Sequence, residues 1–411
     1  MQPILMIVAG LYVLVSVIRG CVNFANLKHA RARGVPEEFR GLVDEVKFRS
    51  AQDYLAAQTR FGLISRTVST VVSVIFLLAG GFAWADQVAG GHAMAPVAHA
   101  LLYFLLLGAL DQIIEVPFSW YNTFRLEERF GFNRSTAATF LGDLAKGWAL
   151  GLVLGGLLAG GVVWFFVNGG AHAWFWAWLA FTSFQLLLTF FAPVVLMPLF
   201  NKFEPLPDGE LKSAIEAFAA KVNFKLQGIF TMDGSKRSSK ANAYFTGFGR
   251  FRRIVLFDTL VKQQSVPELV GVLAHEVGHF KRKHIPQQIL LSLVSSFLLF
   301  WLFSLILASD HFAVDFGFAQ PSVQAAFTIA FWFYAPFSLI TGVAGLAMSR
   351  KFEFEADAYA RETTRDPGSL ASALKKLSVD SLSNLNPHPW KVFLDYSHPP
   401  VTQRLRELMR S

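Results

Sequence analysis

Seven apolar runs, at 3–19, 62–84, 98–119, 147–167, 174–198, 287–308 and 324–347, set the pattern of the 411-residue chain. A helix needs about 20 apolar residues to cross the hydrocarbon of a bilayer, and these runs approach or exceed that length. The run 3–19 has no basic segment ahead of it and no Ala-x-Ala site behind it. It is therefore read as a retained helix and not as a removed leader. The segments between the runs are sorted by charge. Those at 85–96, 168–173 and 309–323 have no lysine or arginine, whereas 20–61, 120–146, 199–286 and the segment from 348 hold nearly all of them. Basic segments belong on the cytoplasmic side. Seven crossings then place the N-terminus outside or in a lumen and the C-terminus in the cytosol. Either a bacterial inner membrane or an endoplasmic reticulum membrane fits.

Some residues inside the runs stand out. Asp111 and Glu115 are four apart on one helix face, near the cytoplasmic end of the third run. Intramembrane carboxylates face a protein interior or a water-filled cavity, or lie solvated at the interface. The glycines of 151–161, with Gly342 and Gly345, suit close helix packing.

The segment 199–286 is the one polar insert long enough to fold. Leu211, Ile215, Phe218, Ala219 and Val222 recur at helical spacing over 208–222. Residues 228–232 and 253–258 have strand composition, and Asn242-Ala243-Tyr244-Phe245 between them fits an edge strand. A further helix is expected over 267–283, its start marked by Ser265 and Pro267. The pattern divides the chain into a membrane region at 1–198, with five spans, and a unit at 199–411 that includes two more.

Composition supports this reading. The chain is 53% hydrophobic and 16% charged, against about 25% charged in soluble domains. Its net charge of +8 would suit nucleic acid, but the cations are partitioned by side of the membrane, which excludes that partner. The single cysteine, Cys21, rules out an intramolecular disulfide and a thiolate metal cluster, and is read as a small apolar residue at a helix end.

Chemistry enters with His275-Glu276-Val277-Gly278-His279. On a helix the two histidines share one face and reach one metal ion, and Glu276 is placed to take a proton from water at that ion. Gly278 inside a helix costs about 1 kcal/mol relative to alanine, so a packing reason is expected. A catalytic zinc needs a third protein ligand. It is sought just after the last span, in Phe352-Glu353-Phe354-Glu355-Ala356-Asp357. Glu353 and Asp357 share a helical face there, and Glu355 points about 200° away. One glutamate is then a ligand, with Asp357 accepting the free N–H of a liganding histidine, and Glu355 is solvated or ion-paired. Farther on, in the segment Asp395-Tyr396-Ser397-His398-Pro399-Pro400, two prolines hold the backbone extended ahead of a helix. His398 suits either donation to an oxyanion or a cap on that helix. Arg404 suits an ion pair as well as a substrate contact.

These stretches together resemble the type I CAAX prenyl protease family of integral-membrane zinc metalloproteases. The resemblance rests on Phe130 to Thr136, Met232 to Ser239, Asn242 to Phe245, Arg253 to Leu260, the histidine pentapeptide, Phe352 to Ala360, and Ser397 to Pro400. It implies seven transmembrane helices around a water-filled chamber, an all-α multi-pass membrane protein with a small α+β zinc metalloprotease domain on the cytosolic side. It further implies one Zn2+ per chain held by His275, His279 and Glu353, with Glu276 as the catalytic carboxylate. Asn242, Ala243 and Tyr244 would lie along the substrate backbone, and His398 and Arg404 would stabilise the transition state. Lys240-Ala241 departs from the His-Ser of some relatives. The expected activity is zinc-dependent endoproteolysis near the C-terminus of a prenylated CAAX-type or membrane-associated peptide, by a monomer in the lipid bilayer. A membrane quality-control metalloprotease and a transporter or channel are the alternatives.

Overall fold

The computed structural model describes residues 3–90, 94–246 and 253–410. In chain order the helices begin with α1 (Pro3–Arg31), α2 (Glu45–Leu78), α3 (Gly81–Val88), α4 (Pro96–Tyr121), α5 (Ala137–Leu150), α6 (Gly156–Asn168) and α7 (Ala173–Phe191). The polar insert follows with β1 (Phe203–Pro205), α8 (Glu210–Lys221), β2 (Gly228–Met232), β3 (Ala243–Thr246), β4 (Arg253–Phe257), α9 (Asp258–Gln263) and α10 (Val266–Lys281). The remainder is α11 (His284–Leu307), α12 (Asp310–Asp315), α13 (Val323–Thr364), α14 (Pro367–Asp380), α15 (Pro389–Asp395) and α16 (Val401–Leu408).

Among the described residues seven helical stretches are long and apolar enough to cross a membrane. They surround a chamber. At most 17% of the most apolar window of any span is buried, so the helices pack at their flanks and leave both faces open. Asp111 and Glu115 are exposed on one face of α4, and Ile113, about 200° round the helix, is exposed on the other. A carboxylate pair opposite an apolar face is what a wall between lipid and water requires.

Several boundaries differ from the apolar pattern. The second helix begins at Glu45 and stops at Leu78, with Gly80 at φ 74° turning the chain into α3, so the expected span 62–84 overruns its end. The helix-forming polar stretch Glu45–Arg60 lies outside any hydropathy window. Cys21 lies well inside α1, exposed, and not at a helix end. The fourth span is one helical run through α5, a π-helical turn at Gly151–Gly155, and α6. The expected packing of small residues holds at Gly160, where a methyl group would meet Leu101 at 3.6 Å, but a methyl at Gly151, Gly155, Gly156, Gly161, Gly342 or Gly345 would meet nothing within 4 Å. The last apolar run does not end where its hydropathy does. It continues without a break as α13 for 42 residues, about 63 Å.

The insert builds a four-stranded sheet of order β1-β2-β4-β3, with β2 and β4 parallel and the other pairs antiparallel. One core joins it to the helices: Ile254 and Leu256 of β4 and Ile215 of α8 meet Leu269, Leu273 and Val277 of α10, and then Ala360 and Leu370. Two stretches singled out in the sequence lock the sheet to the membrane region. Asn133 bridges Ser238, the Arg134 N–H donates to the Arg237 carbonyl at 3.0 Å, and Arg237 grips Asp143 of α5 through two hydrogen bonds of 2.7 and 2.9 Å.

Candidate metal centre and active site

α10 carries the pentapeptide through the core. Ser265 and Glu268 form a capping box at its start, and the Ser265 N–H donates to Glu268 Oε2 at 2.8 Å. Glu268 also accepts from Ser372 at 2.6 Å and from Lys376 at 2.8 Å, which ties this end to α14. Burial alone would raise the Glu268 carboxyl. The hydrogen bonds from Lys376, Ser372 and Ser265 outweigh it and bring the group down to about 2.

α10 lies along α13, and the two helices meet at Gly278. His275 Nε2 and His279 Nε2 stand 3.1 Å apart, Glu353 Oε2 lies 3.4 Å from the first, and Glu353 Oε1 lies 3.3 Å from the second. The site residues thus come together across two spans of intervening chain. These are metal-ligand separations: bonds of about 2.0–2.1 Å to a tetrahedral ion put neighbouring ligand atoms about 3.3 Å apart. Two imidazoles and one carboxylate are also the donor set that a catalytic zinc takes. Glu353 Oε2 is buried with no hydrogen-bond partner, although Arg404 Nη1 lies 3.1 Å away, so the oxygen retains a lone pair for an ion.

Glu276 follows His275 and is half-buried beside the cluster; burial pushes its carboxyl above the usual range, against the opposing influence of His275 and His279. Asp357 Oδ1 lies 2.8 Å from His275 Nδ1, the nitrogen turned away from the cluster. Arg404 of α16, 7% exposed, clasps both Asp357 oxygens at 2.8 and 2.6 Å. Its guanidinium is therefore committed to Asp357 and Glu353. His398 has a 62% exposed side chain whose Nε2 lies 3.3 Å from Glu353 Oε1. The loop before it is held by Arg350 of α13, which donates to the carbonyls of Val392 and Tyr396 at 3.0 and 2.7 Å, and by the pair Arg19–Asp395 at 3.3 Å.

The family follows from comparison of the chain with known proteins. Residues 205–411 match Peptidase family M48. The chain belongs to this family. Residues 24–202 match the region described as CAAX prenyl protease N-terminal, five membrane helices. This M48 chain is 34% identical to a CAAX prenyl protease 1 homolog of Oryza sativa subsp. japonica, over 91% of the chain and 90% of that protein. It is 34% identical to CAAX prenyl protease 1 of Saccharomyces cerevisiae, over 91% and 88%. The crystal structure of S. mikatae Ste24p superposes with a TM-score of 0.95 at 31% identity, covering all of both chains. An M48 peptidase with seven such helices is a multi-pass membrane metalloprotease. The bilayer surrounds it and a peptide is its substrate.

The strand Ala243–Thr246 forms the sheet edge, and the Phe257 N–H donates to the Asn242 carbonyl at 3.0 Å. Asn242 is exposed. The Tyr244 hydroxyl faces the sulfurs of Met197 and Met232, so only the backbone of this residue is offered along the strand. Lys240 does not reach the cluster: its ammonium donates to Glu127 at 2.8 Å and to the Tyr54 hydroxyl at 2.7 Å. It borders a polar cavity of about 460 Å³ shared with Asn23, Gln58, Asn384 and Tyr396.

One residue at the centre, His284, was not singled out in the sequence. His284 opens α11, and Glu355, expected to be solvated or ion-paired, is its partner at 2.9 Å. Neither lies at a spacing that a helix rule links to His279.

Proposed function

We propose that this M48 peptidase is a zinc endopeptidase that hydrolyses peptide bonds near the C-terminus of prenylated CAAX-type or membrane-associated peptides, inside the chamber. The observation that carries this reading is the convergence of His275, His279 and Glu353, with Glu276 beside them. His275, His279 and Glu353 would hold one Zn2+. When bound, zinc supplies a Lewis acid that polarises the scissile carbonyl and lowers the pKa of water. Glu276 takes a proton from the attacking water and returns it to the departing amine. Asp357, clasped by Arg404, orients His275. His398 donates to the oxyanion as it develops, and Arg404 acts on the transition state through the charge it keeps beside Glu353. An extended peptide pairs with the backbone of Asn242, Ala243 and Tyr244 at the outer sheet edge, which has no strand partner among the described residues.

In this reading residues 1–198 form the membrane region and 199–411 the peptidase unit with its two spans. The basic segments and the site face the cytosol. All the groups named come from one chain, so a monomer suffices. The CAAX-type substrate is supported by the names of the relatives.

The test compares the wild-type protein with Glu276→Gln on a farnesylated C-terminal peptide, with metal analysis of both. The expected result is about one zinc in each, and turnover of the variant lower by a factor of about 10²–10⁴. Wild-type turnover by Glu276→Gln would overturn the mechanism. Cleavage of an unfolded membrane peptide without any cleavage of the farnesylated one would move the substrate class to quality control.

A further inference from the structure

His279 turns Nε2 toward His275 and Glu353, which leaves Nδ1 on the far side of its ring. There Nδ1 stands 2.9 Å from Nδ1 of His284, and His284 Nε2 stands 2.9 Å from Glu355 Oε2. Two ring nitrogens this close cannot both be bare or both be protonated, so one donates and the other accepts. If Nε2 of His279 is given to an ion, its proton lies on Nδ1 and His284 Nδ1 accepts it. The proton of His284 then lies on Nε2 and points at a carboxylate. One assignment satisfies every atom: His279 donates to His284, and His284 donates to Glu355.

The placement of His284 is built into the chain. The ring is 1% exposed and stacks on Phe352 with centroids 4.1 Å apart and planes 9° from parallel. Phe352 adjoins Glu353. Lys283, at φ 58°, is a non-glycine residue in the left-handed region; it ends the run from α10 and starts α11. On an unbroken helix His279 and His284 would lie about 140° apart. The break at Lys283 brings their rings edge to edge. Glu355 is half-buried, and Lys351 stands 3.7 Å from its other oxygen. The centre thus has two supports of different construction: Asp357 with Arg404 behind His275, and His284 with Glu355 behind His279.

We propose that His284 is a positioning residue of the metal site, which sets the tautomer and ring orientation of His279 and is itself oriented by Glu355. The proposal rests on the reading of His279 as a metal ligand.

The test uses the full-length protein in detergent and reads zinc affinity by competition with a chromophoric chelator, together with kcat and KM for the farnesylated peptide and the thermal midpoint. His284→Phe keeps the stacking on Phe352 and removes both hydrogen bonds. It is expected to weaken zinc binding about 10- to 100-fold and to lower kcat with KM little changed. His284→Gln can accept from His279 through its carbonyl and donate to Glu355 through its amide, and is expected to restore most of the zinc affinity. Glu355→Leu should fall between the two. Unchanged zinc affinity in His284→Phe, or equal loss in His284→Gln and His284→Phe, would overturn the proposal and leave His284 a packing residue. If His284→Phe does not fold, His284→Met against His284→Gln decides on the same criterion. A wild-type protein that cleaves peptide without zinc would instead overturn the metal reading itself.

Discussion

Gly278 of α10 rests on the backbone of Ala356 of α13; a methyl group at Gly278 would stand 3.0 Å from both the Cα and the carbonyl oxygen of Ala356. The residues on either side of this contact, His275 and His279 on one helix and Glu353 and Asp357 on the other, are the ones that meet. The glycine sets the distance between the helices and hence between the groups.

Gly278→Ala gains about 1 kcal/mol of helix propensity but forces two backbones apart, and neither can swing away as a side chain would. Zinc affinity and turnover are expected to fall together, by tenfold or more on the scale of lost metal support. Gly271 provides the contrast. Its methyl would meet the backbone of Leu370 at 3.0 Å on α14, away from the cluster. Gly271→Ala should lower the thermal midpoint and leave zinc affinity close to that of the wild type. Chelator competition on both variants checks this, and equal zinc loss in both would refute the spacing argument.

Arg404 neutralises two buried carboxylates. Arg404→Leu leaves Asp357 and Glu353 without their cation, a change that costs about 3–5 kcal/mol in buried pairs. A much lower thermal midpoint is expected. Arg404→Lys keeps the charge but loses the two-pronged grip on Asp357. It should recover much of the midpoint and less of the zinc affinity, because His275 would be less firmly oriented. Calorimetry paired with metal analysis separates the two effects.

Glu268 gives the α10–α14 contact a pH dependence of known sign. Its carboxyl lies near 2 in the folded protein, below its ordinary 4.5. A depressed acid contributes stability above its unfolded pKa and loses it as the pH falls through the folded value. The contribution is therefore complete above about pH 4.5 and vanishes toward pH 2. Glu268→Gln should be less stable than the wild type near neutrality by up to about 3 kcal/mol, and the two melting curves should converge between pH 4.5 and 2. A constant gap over that range would show that the charge of Glu268 does not carry the effect.

Lys240 fastens the approach to β3 to the membrane helices through Glu127 and Tyr54. Lys240→Met is expected to raise KM for the peptide about fivefold, the worth of a hydrogen bond near 1 kcal/mol, with zinc affinity unchanged. A fall in kcat at constant KM would place Lys240 nearer the chemistry than its partners imply.

Much of the centre is legible in the sequence because a helix repeats. His275 with His279, and Glu353 with Asp357, are each four apart, and that spacing alone aligns each pair on one face. Lys283 has no such signal. A lysine in the left-handed region is set by the surrounding fold, and so the meeting of His279, His284 and Glu355 could not be read. The rule that turns Glu355 away from Glu353 is correct; what the sequence omits is that a third histidine, His284, waits on that side. Span ends fail for another reason. Hydropathy records where lipid begins, whereas hydrogen bonding decides where a helix stops, and Glu45–Arg60 and Ser349–Thr364 stay helical in water.

α13 is a single beam from the membrane to the metal. Pro336 interrupts its hydrogen bonding inside the bilayer, and Glu353 lies 17 residues farther on, about 26 Å along the axis. A few degrees of tilt about Pro336 moves that carboxylate by more than an ångström, beyond the roughly 0.5 Å tolerance of a catalytic constellation. The tilt of a spanning helix is set by its packing against neighbouring helices and by its interfacial anchors. Whatever holds α13 at Pro336 therefore also holds the geometry at Glu353, and a substitution deep among the spans can act on the site from about 26 Å away.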